Sequence, residues 1–247
     1  MTTVLKLGGS VITEKDRAET IDGQALDRAA DVVAEAIDEP PDLVLVHGAG
    51  SFGHHNAEKH GVSVTTGTHD AGAVMDIHGS MKTLNRFVLD RLHDRGVPAI
   101  PVHPLSAGAR DAEARLTFPT DQVATMLEEG FVPVLHGDIV ARAGKGTTVI
   151  SGDEVIVELG TALDAERVGL LSTVPGVLRD DEVIPRIEAF DEVADVLGGS
   201  DATDVSGGMA GKVEQLLSLD VPASIFALDD LDRFLAGEFP GTTIDGR

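Results

Sequence analysis

Short apolar runs alternate along the chain with stretches of helical period. "TVLKL" (3–7) has strand length and ends in Gly8-Gly9-Ser10, and from Ala25 to Ile37 the apolar residues fall at 25, 26, 29, 32, 33, 36 and 37, the spacing of one helix face. "DLVLV" (42–46) has the unbroken apolar character of a strand buried on both sides. A long helix is predicted next, with Val74, Ile77, Met81, Leu84, Val88 and Leu92 on one face and Gly96 as its C-cap. "VPAIPV" (97–102) is a strand, Thr120 is placed as the N-cap of a helix running to Glu129, and "FVPVLHG" (131–137) is again a strand. "TTVISGD" (147–153) with "EVIVELGTAL" (154–163) gives a strand and a helix, and "RVGLLSTV" (167–174) gives a further strand. "VIPRI" (183–187) suggests a hairpin arm, "SGGMAGKVEQLLSLD" (206–220) a helix with glycines at its mouth, and "PASIFAL" (222–228) a late strand. Repeated strand, loop and helix units predict an α/β fold with a mainly parallel sheet covered on both faces and sites at the carboxyl ends of the strands. Neither a repeat nor a linker interrupts this pattern, so residues 1–247 are read as one domain.

Composition narrows the class. A chain of 247 residues with 42% hydrophobic content can bury a sizeable core. The start, "MTTVLKLGGS", has neither a basic nor an apolar leader region, and no window approaches the roughly 18 apolar residues of a membrane span, which together imply a soluble, cytoplasmic protein. Cysteine is absent, which excludes disulfides, thiolate metal sites and cysteine nucleophiles. The formal charge of −23 argues against a nucleic-acid partner, because phosphate backbones demand a basic surface. Asp and Glu number 42, against 19 basic residues of which six are lysines, and the acid is spread along the chain. Such a spread resembles adaptation to high salt, where screening weakens self-repulsion; an acidic protein from a low-salt cell is the other reading.

The stretch "DLVLVHGAGSFGHHNAEKHG" (42–61) contains a literal G-x-G-x-x-G at Gly48, Gly50 and Gly53. A dinucleotide fingerprint belongs after the first strand, with a ribose-binding acid at the end of the next. Here the match follows the second strand, the next strand ends at Val102-His103 without an acid, and Asp70 falls where a helix begins. The glycines suit another purpose, close approach of backbone N–H groups to a bound anion. That arrangement occurs three times, at Gly8-Gly9-Ser10, at Gly48-Ala49-Gly50-Ser51 and at Ser206-Gly207-Gly208, which points to several phosphoryl groups bound together.

Three of the six lysines lie beside these loops: Lys6 just before the first, Lys15 just beyond it, and Lys212 one turn into the helix that the third opens. A lysine at the end of a buried parallel strand is costly unless an anion meets it. Cations and oriented amides around two phosphates are what phosphoryl transfer requires. Neither a Walker A sequence nor the protein-kinase signatures are present.

Taken together, "KLGGS" (6–10), "HGAGSFGH" (47–54), "HGD" (136–138), "SGD" (151–153) and "DVSGGMAGK" (204–212) resemble the amino acid kinase superfamily, over nearly the whole chain. Within it, "SFGH" and the lysine after "GGSVIT" are similar to the isopentenyl phosphate kinase family. The resemblance implies an α/β/α sandwich, an amino-terminal part (about 1–150) for the phosphate acceptor, a carboxyl-terminal part (about 151–247) for ATP, and a homodimer. It implies that Lys6, Gly8, Gly9, Ser10 and Gly50 line the transferring phosphates and that Lys15 stabilises the transition state. Ala49, Gly50, His54 and Gly152 would hold the acceptor, isopentenyl phosphate, and Gly207, Gly208 and Lys212 would contact ATP. Two departures are visible: Ala49 interrupts an otherwise all-glycine run, and "STVPGV" (172–177) replaces a "TDVDGVY"-like run, leaving Ser172 and Thr173 as the nucleotide contacts there.

A phosphate-monoester acceptor, with a second pKa of about 6, is already a nucleophile at neutral pH and needs no general base. His54 is therefore read as a directed hydrogen-bond donor that fixes the acceptor's oxygens. His55, His60 and His69 read as surface residues. A metal cluster of His47, His54, His55 and His60 follows no known ligand spacing, and the expected cation is Mg²⁺ carried by ATP. Asp138 and Asp153 either orient lysines or metal waters, or cap loops. The Ile77, Met81 and Leu84 face is a candidate border for a five-carbon tail, with core packing as the alternative. Other acceptors within the superfamily (uridylate, carbamate, an amino-acid carboxylate, fosfomycin) and a non-catalytic nucleotide sensor or storage protein remain the competing functions.

Overall fold

A computed structural model describes residues 2–37, 41–118, 120–197 and 208–247. β1 (Thr3–Leu7) and β2 (Leu43–His47) are buried at every position, the state that an uninterrupted apolar run requires. Between them lie the short α1 (Gly9–Ile12) and α2 (Gly23–Ala36), whose N-cap Asp22 accepts from the Ala25 amide. α3 (Gly50–Lys59) springs from the end of β2, and α4 (Ala71–His93) begins at Asp70, which accepts from the Gly72 amide. The middle of the chain forms β3 (Ala99–Pro101), α5 (Pro104–Ala107), β4 (Ala109–Arg110), β5 (Leu116–Thr117), α6 (Thr120–Glu128), β6 (Val132–His136), β7 (Asp138–Arg142) and β8 (Gly146–Ile150). α7 (Gly152–Ala162) leads to β9 (Arg167–Ser172), the hairpin β10 (Leu178–Arg179) and β11 (Glu182–Val183), β12 (Arg186–Ile187) and α8 (Ala194–Leu197). α9 (Gly208–Leu217), β13 (Ala223–Ala227), α10 (Leu231–Leu235) and β14 (Thr242–Ile244) complete the fold.

Among the described residues an eight-stranded sheet runs in the order β12-β14-β13-β9-β1-β2-β6-β3, parallel except for the β13–β14 pair. Successive side chains on each strand face opposite layers. Val4, Val44, Val46, Val168 and Leu170 pack on one side with Val155, Ile156 and Leu159 of α7 and with Val213 and Leu216 of α9. Leu5, Leu7, Leu43, Leu45 and Val134 pack on the other with Leu26 and Val33 of α2, Met81 and Leu84 of α4, and Phe234 of α10. The result is the expected three-layer α/β/α sandwich. No described helix is long and apolar enough to cross a membrane.

Local details differ from the sequence reading for identifiable reasons. Residues 138–142 form a strand through antiparallel pairing with β8, and β4 and β5 join them in a second, four-stranded sheet that the apolar pattern did not announce. Thr120 is already helical rather than the residue before the helix. The C-cap of α4 is Asp94, and Gly96, at φ +78°, makes the left-handed turn two residues later. "VIPRI" divides, with Val183 closing the β10–β11 hairpin and Arg186–Ile187 joining the main sheet as β12.

Because β1 and β2 are neighbours in register, their two glycine loops leave the sheet side by side. A Cβ on Gly9 would lie 2.2 Å from the Gly50 nitrogen, and one on Gly48 would lie 2.5 Å from the Gly9 nitrogen. Backbone packs on backbone here, so no side chain can yield. Gly9→Ala is expected to destabilise the fold by about 1–3 kcal/mol, read as a lowered urea midpoint; an unchanged midpoint would show that the loops separate without cost.

Candidate active site

The two loops are fixed by short backbone bonds. Gly8 N–H donates to Leu171 O (3.0 Å) and Gly48 N–H to Leu7 O (2.9 Å). Thr13 ties them together, its hydroxyl donating to Gly9 O (2.7 Å) and accepting from Ser51 N–H (3.0 Å). Gly50 has φ +50°, and a Cβ there would strike the Thr13 hydroxyl at 2.3 Å, so both conformation and space demand glycine. The amides of Gly9, Ser10, Ala49 and Gly50 have no acceptor among the described residues. The same holds for Gly152 and Asp153, the first residues of α7, whose N-terminus is closed behind them by a capping box between Ser151 and Glu154.

Two of these amide nitrogens, those of Gly152 and Ala49, lie beside Gly137. A Cβ on Gly137 would lie 3.2 Å from the Gly152 nitrogen and 3.7 Å from the Ala49 nitrogen. A Cβ on Gly152 would lie 3.0 Å from Lys6 Cε. Lys6 is 5% exposed, and its Nζ donates to Asp153 Oδ1 at 2.6 Å. Free helix-mouth and loop N–H groups around a buried ion pair make a cradle for anionic oxygens.

The remaining singled-out residues surround this centre at different removes. Ser10 is exposed on α1, and Lys15 is exposed in the turn between Thr13 and Ile21. That turn is held to α3 by Asn56 Nδ2 donating to Glu19 Oε1 (2.7 Å) and by Glu19 N–H donating to Ser51 O (3.3 Å). His54 is half-buried, four residues after Gly50 and hence on the same face of α3. Ser172 ends β9 beside Gly8, and Thr173 beyond it is exposed. Gly208 opens α9 at φ +61°, and Lys212 donates to Gly208 O (3.2 Å) within the same helix. Gly207 and Ser206 lie outside the described residues.

Three expectations resolve differently from one another. Asp153 engages a lysine, whereas Asp138 Oδ2 accepts from His78 Nδ1 (2.8 Å) and from Leu105 N–H (3.4 Å), anchoring α4 and α5. The grouped histidines disperse: His47 is wholly buried, His55 is exposed, and His60 bonds Asp76 (2.9 Å), whose carboxyl is held low by the hydrogen bond from Lys59 and then by that of His60. The α4 stripe splits, because Met81 and Leu84 belong to the main core while Ile77 joins a satellite cluster with Ala57, Val62 and Ile139, flanked by Val74, Leu105 and Val149.

What the sequence reading missed is a second tier of histidines beneath the loops. His47 and His136 are register partners at the ends of β2 and β6, both fully buried, with rings stacked at 5.2 Å. Each ring Nδ1 meets the carbonyl of the following glycine, Gly48 at 3.1 Å and Gly137 at 2.9 Å. The recurring His-Gly dipeptide at two strand ends was the available signal. Burial lowers the pKa of His47 to about 4 and that of His136 to about 3, so both rings are neutral at physiological pH.

Neutral burial makes the fold sensitive to acid. The unfolded rings titrate near 6.5, so their contribution is complete above that pH and is lost as pH falls from 6.5 through about 4 and about 3. Between pH 7.5 and 5 each ring should cost about 2 kcal/mol of unfolding free energy, measurable by chemical denaturation. His136→Gln should flatten part of that slope; an equal slope in the variant would contradict the assignment.

A model of the amino acid kinase family matches residues 1–219. An isopentenyl phosphate kinase of Haloferax volcanii is 59% identical over 98% of both chains, and one of Methanocaldococcus jannaschii is 32% identical over 99% of both. A solved isopentenyl phosphate kinase structure superposes with a TM-score of 0.85 at 31% identity, covering 99% of this chain and all of the other.

Proposed function

The chain belongs to the amino acid kinase family, and on that premise we propose that it transfers the terminal phosphoryl group of ATP to isopentenyl phosphate, giving isopentenyl diphosphate and ADP. The observation that carries this reading is the set of amides without an acceptor among the described residues, on the two adjoining glycine loops and at the mouth of α7, where Asp153 holds the buried Lys6. Relatives that bear the name isopentenyl phosphate kinase support the choice of acceptor. The part before about residue 150 takes the acceptor, and the part after it takes the nucleotide.

The reaction needs two polyanions in line. Gly8, Gly9, Ser10 and Gly50 meet the phosphoryl group in flight, Ala49 and Gly152 hold the acceptor phosphate, and His54 donates to one of its oxygens. The attacking oxygen belongs to a phosphate that is largely dianionic, so no residue removes a proton. Lys15 offsets charge on the transferring group, while Ser172, Thr173, Gly207, Gly208 and Lys212 bind the nucleotide. Asp153 already compensates Lys6, so the lysines and amides alone leave much phosphate charge unmet. That imbalance supports Mg²⁺ carried on the phosphates, an ion that keeps several waters and asks for few protein ligands. Among the described residues no group of three or more His, Asp or Glu side chains is arranged to hold a metal ion. The five-carbon tail is assigned to the satellite cluster of Ala57, Val62, Ile77 and Ile139, near α3. The family resemblance extends the reading to a cytoplasmic homodimer.

His54→Ala should lower kcat/KM for isopentenyl phosphate by about 10- to 100-fold with ATP affinity nearly unchanged, in a coupled ADP-release assay; collapse of ATP affinity alone would refute the role. We further propose that the acidic surface is adapted to molar salt. Activity and unfolding midpoint should both rise from dilute buffer to molar KCl as screening relieves self-repulsion, and full activity in dilute buffer would refute the adaptation.

A further inference from the structure

We propose that His47 is a positioning residue: its ring, held as the Nδ1–H tautomer, turns the Gly48 carbonyl away from the site and so aims the Ala49 N–H at the acceptor phosphate. The inference rests on the proposed function, in which Ala49 meets that phosphate. His47 Nδ1 lies 3.1 Å from Gly48 O, a group that only accepts, so Nδ1 must carry the proton. In a planar trans peptide the next N–H points opposite to the carbonyl. That N–H is Ala49's, which lacks an acceptor among the described residues and whose nitrogen lies, like that of Gly152, beside Gly137.

The surroundings hold the tautomer. With the proton on Nδ1 of a neutral ring, Nε2 must accept, and Asn85 Nδ2 donates to it at 3.1 Å. Presenting that NH₂ leaves Asn85 Oδ1 buried without a hydrogen-bond partner, a cost the local structure bears to keep the donor on the ring. His136 repeats the device next door: Nδ1 donates to Gly137 O, and Nε2 accepts a hydrogen bond from His103 Nδ1–H at 2.9 Å. Stacking between the two rings fixes the plane of His47. His47 O accepts Gly137 N–H at 3.0 Å, so backbone and side chain of one residue set both loop ends.

Two isosteric changes separate this role from packing. Asparagine places an N–H near the Nδ1 position and glutamine near Nε2. His47→Asn should stay within about 5-fold of the parent in kcat/KM for isopentenyl phosphate, whereas His47→Gln and His47→Leu should lose about 10- to 100-fold, with ATP KM unchanged in all three. Equal loss in the Asn and Gln variants, or no loss in Leu, overturns the proposal. Should the variants fail to fold, ring ¹⁵N shifts of the unsubstituted protein decide: an Nδ1–H tautomer that does not titrate between pH 5.5 and 8 upholds it, and an Nε2–H tautomer overturns it. If the unsubstituted protein does not phosphorylate isopentenyl phosphate, the proposed function fails alone, because the tautomer measurement requires no acceptor.

Discussion

An ammonium at the end of a central strand covered on both faces must be compensated within the protein, and Asp153 compensates Lys6. Both residues are about 95% buried, where removing one partner of an ion pair costs about 3–5 kcal/mol because a lone charge remains. The pair therefore fixes more than charge. β1 lies between β9 and β2, and Asp153 stands on the first turn of α7, so the 2.6 Å contact sets how far the α7 mouth sits from the glycine loops. A Cβ on Gly152 would lie 3.0 Å from Lys6 Cε and 3.3 Å from His47 O, so a side chain there would have to displace the lysine stem.

On the proposed reaction, neutralising Lys6 internally shifts anion binding onto backbone dipoles. This suits a chain of net charge −23, since amides supply positive potential at a helix mouth without adding basic residues to an acid-rich exterior. It also places the requirement on geometry: an N–H is useful only when its peptide plane faces the ligand. The contacts of Gly9 with Gly50, the left-handed Gly50, the Thr13 bridge and the His47 bond each fix the orientation of a peptide in these loops.

The glycine loops and Lys6 were legible because they break local rules. A lysine within an apolar strand and glycines at a helix mouth have few structural explanations, so sequence alone could single them out. The alternating pattern likewise announced the parallel sheet. Asp153 was legible as one of two carboxylates able to orient a lysine, but which lysine was not, since Lys6 lies 147 residues away. His47 and His136 escaped for a related reason: each looks like an ordinary strand-end residue until parallel register sets one ring upon the other. The α4 stripe was legible as a helical face, but its division between two separate clusters was not, because periodicity carries no record of where one ends. β7 owes its strand to a hairpin partner, a long-range cause that a local reading of 138–142 does not contain.

Lys15 contrasts with this rigid bed in a way that bears on the proposed chemistry. Its turn is pinned at both ends, by the Thr13–Ile21 bridge, by Glu14 N–H to Thr20 O at 2.9 Å, and by Glu19 to α3. The lysine's side chain nevertheless stands exposed. Fixed amides meet ground state and transition state in nearly the same positions, so much of their binding is uniform and does little for turnover. A cation on a long, solvated stem is able to follow the phosphoryl group as it leaves ADP and nears the acceptor, so its stabilisation is greatest between the two. On the proposed reaction, the buried Lys6 and its amides therefore set where the phosphates lie, and the exposed Lys15 favours the moment of transfer.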